Sequence, residues 1–269
     1  MAYLLADLAR MAGKRGSFAL RPIEVTETLQ RELYAITAKP VRGWQSFVRG
    51  ELKDAYGAVV AALTRDDESD DLAAALAQAE RDRANLSIEI VADVLEWMTR
   101  LQSWHRARWR QIVRAGSGVD IFPFIDELSS LPEIRAFEQR ITSLIRNIDD
   151  DLRKDIAEVV WRGVTNQTPR RQVGKELEDR LGIARRRANR IAIDQSQKMV
   201  AELTRIRQNE AGIDQFKWRH SGKKNYRPEH KARNGKVYDW DSNVAKTDAP
   251  GFAPYCACQA QAWLEVLDE

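Results

Sequence analysis

The chain has 269 residues but only two cysteines, three histidines, and no apolar run near the ~20 residues that span a bilayer. Two cysteines cannot build a disulfide framework, so burial rather than cross-linking must hold the fold. The absent apolar run excludes a hydrophobic membrane-spanning helix. The opening stretch, MAYLLADLARMAGKRG, carries Asp7 within its short apolar run and has no cleavage signature. We therefore do not read it as a signal peptide, and expect synthesis in a reducing compartment. Neither a Walker A loop nor a dinucleotide fingerprint is present, so no nucleotide-phosphate cradle is expected. Overall charge is nearly balanced, 43 basic against 40 acidic residues.

Its distribution is not balanced. Between Thr168 and Tyr238 stand 19 Lys/Arg and 8 Asp/Glu, a local +11 that leaves −8 for the rest of a chain of net charge +3. Such asymmetry implies a basic face that meets phosphate or an acidic protein surface. With 43% hydrophobic and 31% charged residues, the composition is that of an ordinary globular chain of one large domain or two smaller ones.

Most of the chain reads as helix. Leu29, Leu33 and Ile36 keep helical spacing before Pro40, and Phe47, Leu52, Tyr56, Val59 and Leu63 keep it afterwards. RDDESDD places five acids between 66 and 71 and reads as a solvated turn or linker. Residues 86–113 form one long amphipathic pattern through Ile90, Val94, Leu101 and Trp104. Inside it, WHRARWR interleaves Trp104, His105 and Trp109 with Arg106, Arg108 and Arg110; a packing stripe with a wet basic back explains it, and His105 receives no role. AGSGVDIFPF breaks that helix, and Pro132 can open another. From Ile134 to Val159 apolar residues recur at steps of three and four, the clearest amphipathic helix in the chain. Thr168, Pro169 and Gly182 read as cap, first position and stop of a helix over 169–181. A further helix over 184–211 would then carry Arg185, Arg186, Arg187 and Arg190 in its first turns. Those turns sit at the positive end of a helix dipole, so the placement suggests an anionic partner.

After Gly212 the pattern alternates. DQFKWRHSG, GKVYDW and YCACQAQAWLEV are three strand candidates, a small sheet over 213–266 leaning on the preceding helix. The expected fold class is α+β. A helical region spans 1–167, with residues 20–165 packing as a bundle or stalk, and a compact carboxy-terminal module, 168–269, follows it.

The scarce residues gather in this last module. Cys256 and Cys258, two apart in an expected strand, would point to one face, and His230 would make a third ligand of the kind zinc accepts. Against this, Cys-x-Cys is not the usual zinc knuckle and no fourth ligand is obvious, His220 being the nearest candidate. The alternative is two small buried hydrophobes and a histidine that closes a turn. Both readings stay open. The order and spacing of a zinc deaminase fail, and no base or oxyanion site marks a cysteine nucleophile, so an enzyme is not expected.

These residues carry a resemblance. IAIDQSQK, then Trp218, Arg227-Pro228 ahead of His230, Gly235-Lys236-Val237, and Pro250-Gly251-x-x-Pro254-Tyr-Cys256-Ala-Cys258 resemble the phage head morphogenesis proteins, the Mu F-like minor head proteins, over roughly 184–260. Trp218, Pro228, Gly235, Pro250, Gly251 and Pro254 fill the motif's scaffold positions. Charged positions depart from it: Lys223 stands where the family usually has an acid, Asn225 where Arg is common, Asn234 where Asp is common, and Ala257 in place of Arg. The resemblance implies a structural minor capsid protein of a tailed phage or prophage, made in the bacterial host cytoplasm. It would be present in few copies near the portal, packaged in the head, and partnered by portal, capsid or scaffold proteins. Lys223, Lys224, Arg227, Lys231 and Arg233 would add to the arginines in a non-specific contact with packaged DNA. The competing expectation is a metal-dependent hydrolase or nuclease-like effector built on the same module.

Overall fold

The computed structural model describes residues 4–62, 69–121 and 132–266. Leu63, part of the acidic run (66–68) and the FPF of the expected helix break lie outside them. The order of elements is α1 (Leu5–Met11), β1 (Gly16–Ala19), α2 (Glu27–Thr37), α3 (Lys39–Arg49), α4 (Glu51–Ala62), α5 (Ser69–Ser117), α6 (Pro132–Thr165) and α7 (Arg170–Glu210). It continues with β2 (Gln215–Arg219), α8 (Pro228–Ala232), β3 (Val237–Asp239), α9 (Asn243–Asp248) and β4 (Gln259–Val266). The α+β class expected from the sequence is what forms: long helices and one small antiparallel sheet.

Two compact units divide the described chain, each assembled from separate stretches. One comprises Arg31–Trp97 and Ala136–Ala192 and is wholly helical among the described residues. Its core includes residues that helical spacing picked out, Phe47, Leu52, Tyr56 and Val59 against Ile148, Leu152, Ile156 and Val159; Val41, Trp44, and Val173, Leu177 and Leu181 of α7 join them. Polar groups at its margins find partners. Trp44 Nε1 donates to Asp149 Oδ1 at 2.7 Å, Tyr56 Oη to the Thr168 carbonyl at 2.7 Å, and Thr37 Oγ1 to the Ala188 carbonyl at 3.1 Å.

The other unit comprises Met1–Gln30, Met98–Arg135 and Ile193–Glu269 and holds the sheet, in the order β1-β4-β2-β3. Three strand regions were expected; the fourth, β1, comes from the amino-terminal stretch expected to be helical. GSFA is too short to show alternation and forms only because β4 offers an edge, pairing Gly16 with Val266 and Ala19 with Trp263. β2 registers Phe216 on Ala262 and Trp218 on Ala260, so both aromatic rings fall on the same buried face.

Two helix boundaries differ from the sequence reading. Gly182 does not stop a helix: α7 runs unbroken from Arg170 to Glu210, because Leu177, Leu181, Ala184 and Ala188 keep one buried stripe across the glycine. Arg185, Arg186, Arg187 and Arg190 therefore lie mid-helix, four to five turns from its start, and the dipole argument for an anionic partner lapses. α5 is also longer than the expected 86–113, beginning at Ser69 in the acidic run and ending at Ser117 before Gly118, whose φ of +78° suits glycine.

Within the sheet-bearing unit, α7 is buried almost all round from Ile193 to Gln208, polar residues included. Asp194 carries its carboxylate into this interior. Oδ2 accepts from Lys198 Nζ at 2.5 Å and Gln195 Nε2 at 2.8 Å, and Oδ1 accepts the Tyr255 backbone N–H at 2.6 Å. The Lys198 and Asp194 side chains are only 4% and 9% exposed. Gln208 bridges two elements, donating to the Ala260 carbonyl at 2.9 Å and accepting from Trp240 Nε1 at 3.1 Å. His105 of α5 is 1% exposed and its Nε2 lies 3.0 Å from Thr204 Oγ1, whose hydroxyl donates to the Val200 carbonyl at 2.7 Å. Nε2 is therefore the donor. His105 and Trp109, rather than Trp104, form the buried side of the WHRARWR stripe, as packing required.

Two predictions follow from these buried groups. Burial, with a smaller push from the Arg207 charge, lowers the His105 pKa to about 3. The unfolded chain takes up this proton near pH 6.5 and the folded chain does not, so the stability present above that pH is lost as pH falls towards 3. Between pH 6 and 4, wild type should lose up to about 1.4 kcal/mol per pH unit more than His105→Gln, read from urea denaturation. Asp194→Ala leaves the Lys198 ammonium buried without its carboxylate and should cost about 3–5 kcal/mol by the same assay, with Asp194→Ala/Lys198→Met recovering a substantial part.

Candidate functional site

The carboxy-terminal motif residues close on a small polar cluster under β2. Arg227 begins α8 with extended backbone, Pro228 takes the first helical position, and the single turn that follows carries His230 inward to 2% exposure. Gly235, at φ +81°, reverses the chain, and its N–H donates to the Trp218 carbonyl at 2.8 Å. Trp218 packs edge-on against the His230 ring, with centroids 5.1 Å apart.

The two cysteines come from the loop that precedes β4, not from a strand as the pattern predicted. β4 begins at Gln259, so no pleat aligns Cys256 with Cys258; a turn does, closed by the Cys256 N–H to the Ala253 carbonyl at 3.0 Å. Three contacts hold this loop. Tyr255 adopts a left-handed φ of +58° while its N–H is tied to Asp194. Gly251, at φ +88°, lies so close to α7 that a Cβ would sit 2.7 Å from Ala201 Cβ. Arg227 Nη2 donates to the Pro254 carbonyl at 3.1 Å.

Together α8 and this loop bring His230, Cys256 and Cys258 within 4.8 Å of one another, all buried. His230 Nδ1 lies 3.4 Å from Cys256 Sγ and 3.7 Å from Cys258 Sγ. On its far side, His230 Nε2 lies 2.9 Å from Asp248 Oδ2, which also accepts Arg233 Nη1 at 2.6 Å, so Nε2 carries the proton and Nδ1 turns its lone pair to the sulfurs. Arg233 stacks over Trp218, 5.0 Å from the ring centroid. The Cys256 thiol is pulled down to about 5: the Cys258 thiol donates to it, burial opposes, and the Cys258 and Gly251 N–H groups and the His230 ring add to the pull. Cys258, the donor of that pair and buried, is pushed up.

A cavity of about 210 Å³ adjoins the cluster, lined by Cys256, Cys258, His220, Thr204 and Gln197 among others. His220 Nδ1 accepts the Gly222 N–H at 3.1 Å, which leaves the proton on Nε2, a buried atom with no hydrogen-bond partner.

The remaining sequence candidates are dispersed. Arg185, Arg186 and Arg190 are exposed and Arg187 is half-buried, all in the helical unit; Arg185 donates to Gln45 at 3.2 Å and Arg187 pairs with Asp151. Lys223, Lys224, Arg227, Lys231 and Arg233 belong to the other unit. Lys223 Nζ lies 3.5 Å from the Tyr255 carbonyl, and Lys231 Nζ stands 4.9 Å over the Tyr226 ring. Pro250 is buried beside Gly251, while Pro254 is exposed. Sequence reasoning missed Asp248 and Asp194. Asp194 stands in the quoted IAIDQSQK stretch, an acid four residues ahead of Lys198 and flanked by the apolar Ile191, Ala192 and Ile193. Asp248 closes α9, a helix legible only from Ser242, whose side chain accepts the Ala245 N–H at 3.2 Å as its cap.

Comparison with known proteins agrees with this geometry. The family model Phage Mu protein F like protein matches residues 154–261, a span that takes in Asp194, Trp218, His230 and both cysteines. A Haemophilus influenzae protein described as uncharacterized is 25% identical over 143 residues, 53% of this chain and 32% of that one; the match spans about a third of the relative's length. No solved structure matches. Over residues 154–261 the chain is thus similar to the Mu F-like phage head morphogenesis proteins, the family that its motif residues resemble.

Proposed function

We propose that the chain is a structural minor protein of a tailed-phage or prophage head, held near the portal and packaged with the capsid as it assembles. The match of residues 154–261 to the Mu F-like family model supports the setting of head morphogenesis. The observation that carries a structural part is how the motif residues are spent. Trp218 packs on His230, Gly235 turns the chain onto the Trp218 carbonyl, and Gly251 admits α7 to contact. Each of these three contacts serves packing or chain reversal, whereas Cys256, His230 and Asp248 form a separate polar cluster beside them. In this reading the amphipathic helices of the helical unit meet portal, capsid or scaffold proteins. No described helix is long and apolar enough to cross a membrane.

Packaged DNA is the second partner in this reading, met through phosphates by exposed cations such as Arg186, Arg190 and Lys224. Arg187 and Arg233 already hold acids within the chain and have less to offer.

Particles purified from an induced lysate should contain the protein alongside the portal protein by mass spectrometry; particles that lack it overturn the assignment. For DNA, filter binding of the full chain should be non-specific, with log K falling by ~0.9 per phosphate contact for each unit of log salt. Arg186→Gln/Arg190→Gln should flatten that slope without changing the melting temperature. No retention at low salt would remove DNA and leave an acidic protein surface as the partner of these cations.

A further inference from the structure

We propose that Cys256, Cys258 and His230 bind one zinc ion, with Asp248 holding the His230 ring in its ligating tautomer and the adjoining cavity supplying the fourth position. The first argument is distance. Zinc bonds of ~2.3 Å to sulfur and ~2.0 Å to nitrogen, at the tetrahedral angle, separate the two ligand atoms by about 3.5 Å. His230 Nδ1 lies 3.4 and 3.7 Å from the two sulfurs, values that bracket that edge. The two sulfurs lie within 4.8 Å of each other, so all three atoms can face one ion.

The second argument is the partner behind the ligand. A metal-bound histidine characteristically gives its other N–H to a carboxylate, which fixes the tautomer and strengthens the ligand. Asp248 Oδ2 stands 2.9 Å from Nε2 in that place, itself anchored by Arg233 at 2.6 Å. If His230 merely closed a turn, it would need neither a lone pair facing two sulfurs nor a braced carboxylate behind it. The third argument is the donor set. Two thiolates and one imidazole are soft and borderline ligands that favour zinc over magnesium or calcium.

His220 is not the fourth ligand in this conformation. Its Nδ1 accepts the Gly222 N–H, so Nε2 holds a proton rather than a lone pair. Both cysteines line the cavity beside them, so water takes the fourth position there, within a space that His220 Nε2–H also faces as an unmet donor. Binding releases the thiol protons of the ligands to solvent and changes no oxidation state. The ion would tie α8 to the loop ahead of β4, adding to the bond from Arg227 to the Pro254 carbonyl.

The full chain, purified under reducing conditions without chelator, should carry one zinc per chain by inductively coupled plasma mass spectrometry. Refolding with cobalt should give the visible bands of a tetrahedral site and the near-ultraviolet charge-transfer band of thiolate ligation. Cys256→Ser/Cys258→Ser should abolish both signals. Asp248→Asn should keep the stoichiometry at saturating zinc while weakening affinity about 10–100-fold against a chelating dye, a change that mere packing would not produce. Zinc-free protein with an octahedral cobalt spectrum overturns the site, as do copper in place of zinc, full zinc content in the double serine variant, or a Cys256–Cys258 disulfide in the purified chain. If the serine variants do not fold, the wild-type zinc content and cobalt spectrum decide. The inference stands on this module's residues, independently of head association. Zinc in a chain absent from particles would leave it intact, and zinc-free protein inside particles would sink it alone.

Discussion

Asp194 places a carboxylate where water scarcely reaches, and the carboxy-terminal module is organised around what that carboxylate must hold. A buried charge is tolerated only when its lone pairs are filled. Lys198 and Gln195 fill one oxygen from within α7 itself, and the second oxygen takes the Tyr255 N–H, sixty-one residues away in sequence. That last bond keeps Tyr255 in the left-handed region, and the loop held there turns Cys256 and Cys258 towards His230.

The same helix explains how so small a sheet persists. Short strands with one apolar face need a helix to cover them. α7 contributes polar side chains that meet groups the sheet and its neighbours leave open. Gln208 is the clearest instance, joining the Ala260 carbonyl of β4 to the Trp240 indole. Polar groups buried with partners specify one register, because a slip by one residue would strand each of them.

Charge in this chain is more local than its composition suggests. The basic surplus after Thr168 looked like one field, yet its two clusters belong to different compact units. Several of its members are drawn into ion pairs or rings: Arg187 to Asp151, Arg233 to Asp248 and Trp218, Lys231 to Tyr226. Counting cations along a sequence overstates the free positive surface whenever acids distant in sequence lie close in space.

The helical half was legible because its signal is periodic and local. Leu29, Leu33, Phe47, Tyr56 and the series from Ile134 to Val159 announce buried stripes through side-chain spacing alone, as do the strand pair of Phe216 and Trp218 and the turn chemistry of Pro228 and Gly235. The gathering of His230, Cys256 and Cys258 near the end was likewise visible, since scarce residue types stand out against any background. What the tertiary structure decided is whatever depends on a partner far along the chain. β1 is a strand only because β4 presents an edge, and Gly182 passes inside α7 because packing on both sides outweighs the ~1 kcal/mol of helix preference it lacks. Asp248 and Asp194 became site residues only when α9 and α7 brought them to a histidine and a loop, since spacing in sequence does not encode which carboxylate will face which donor across a folded interior.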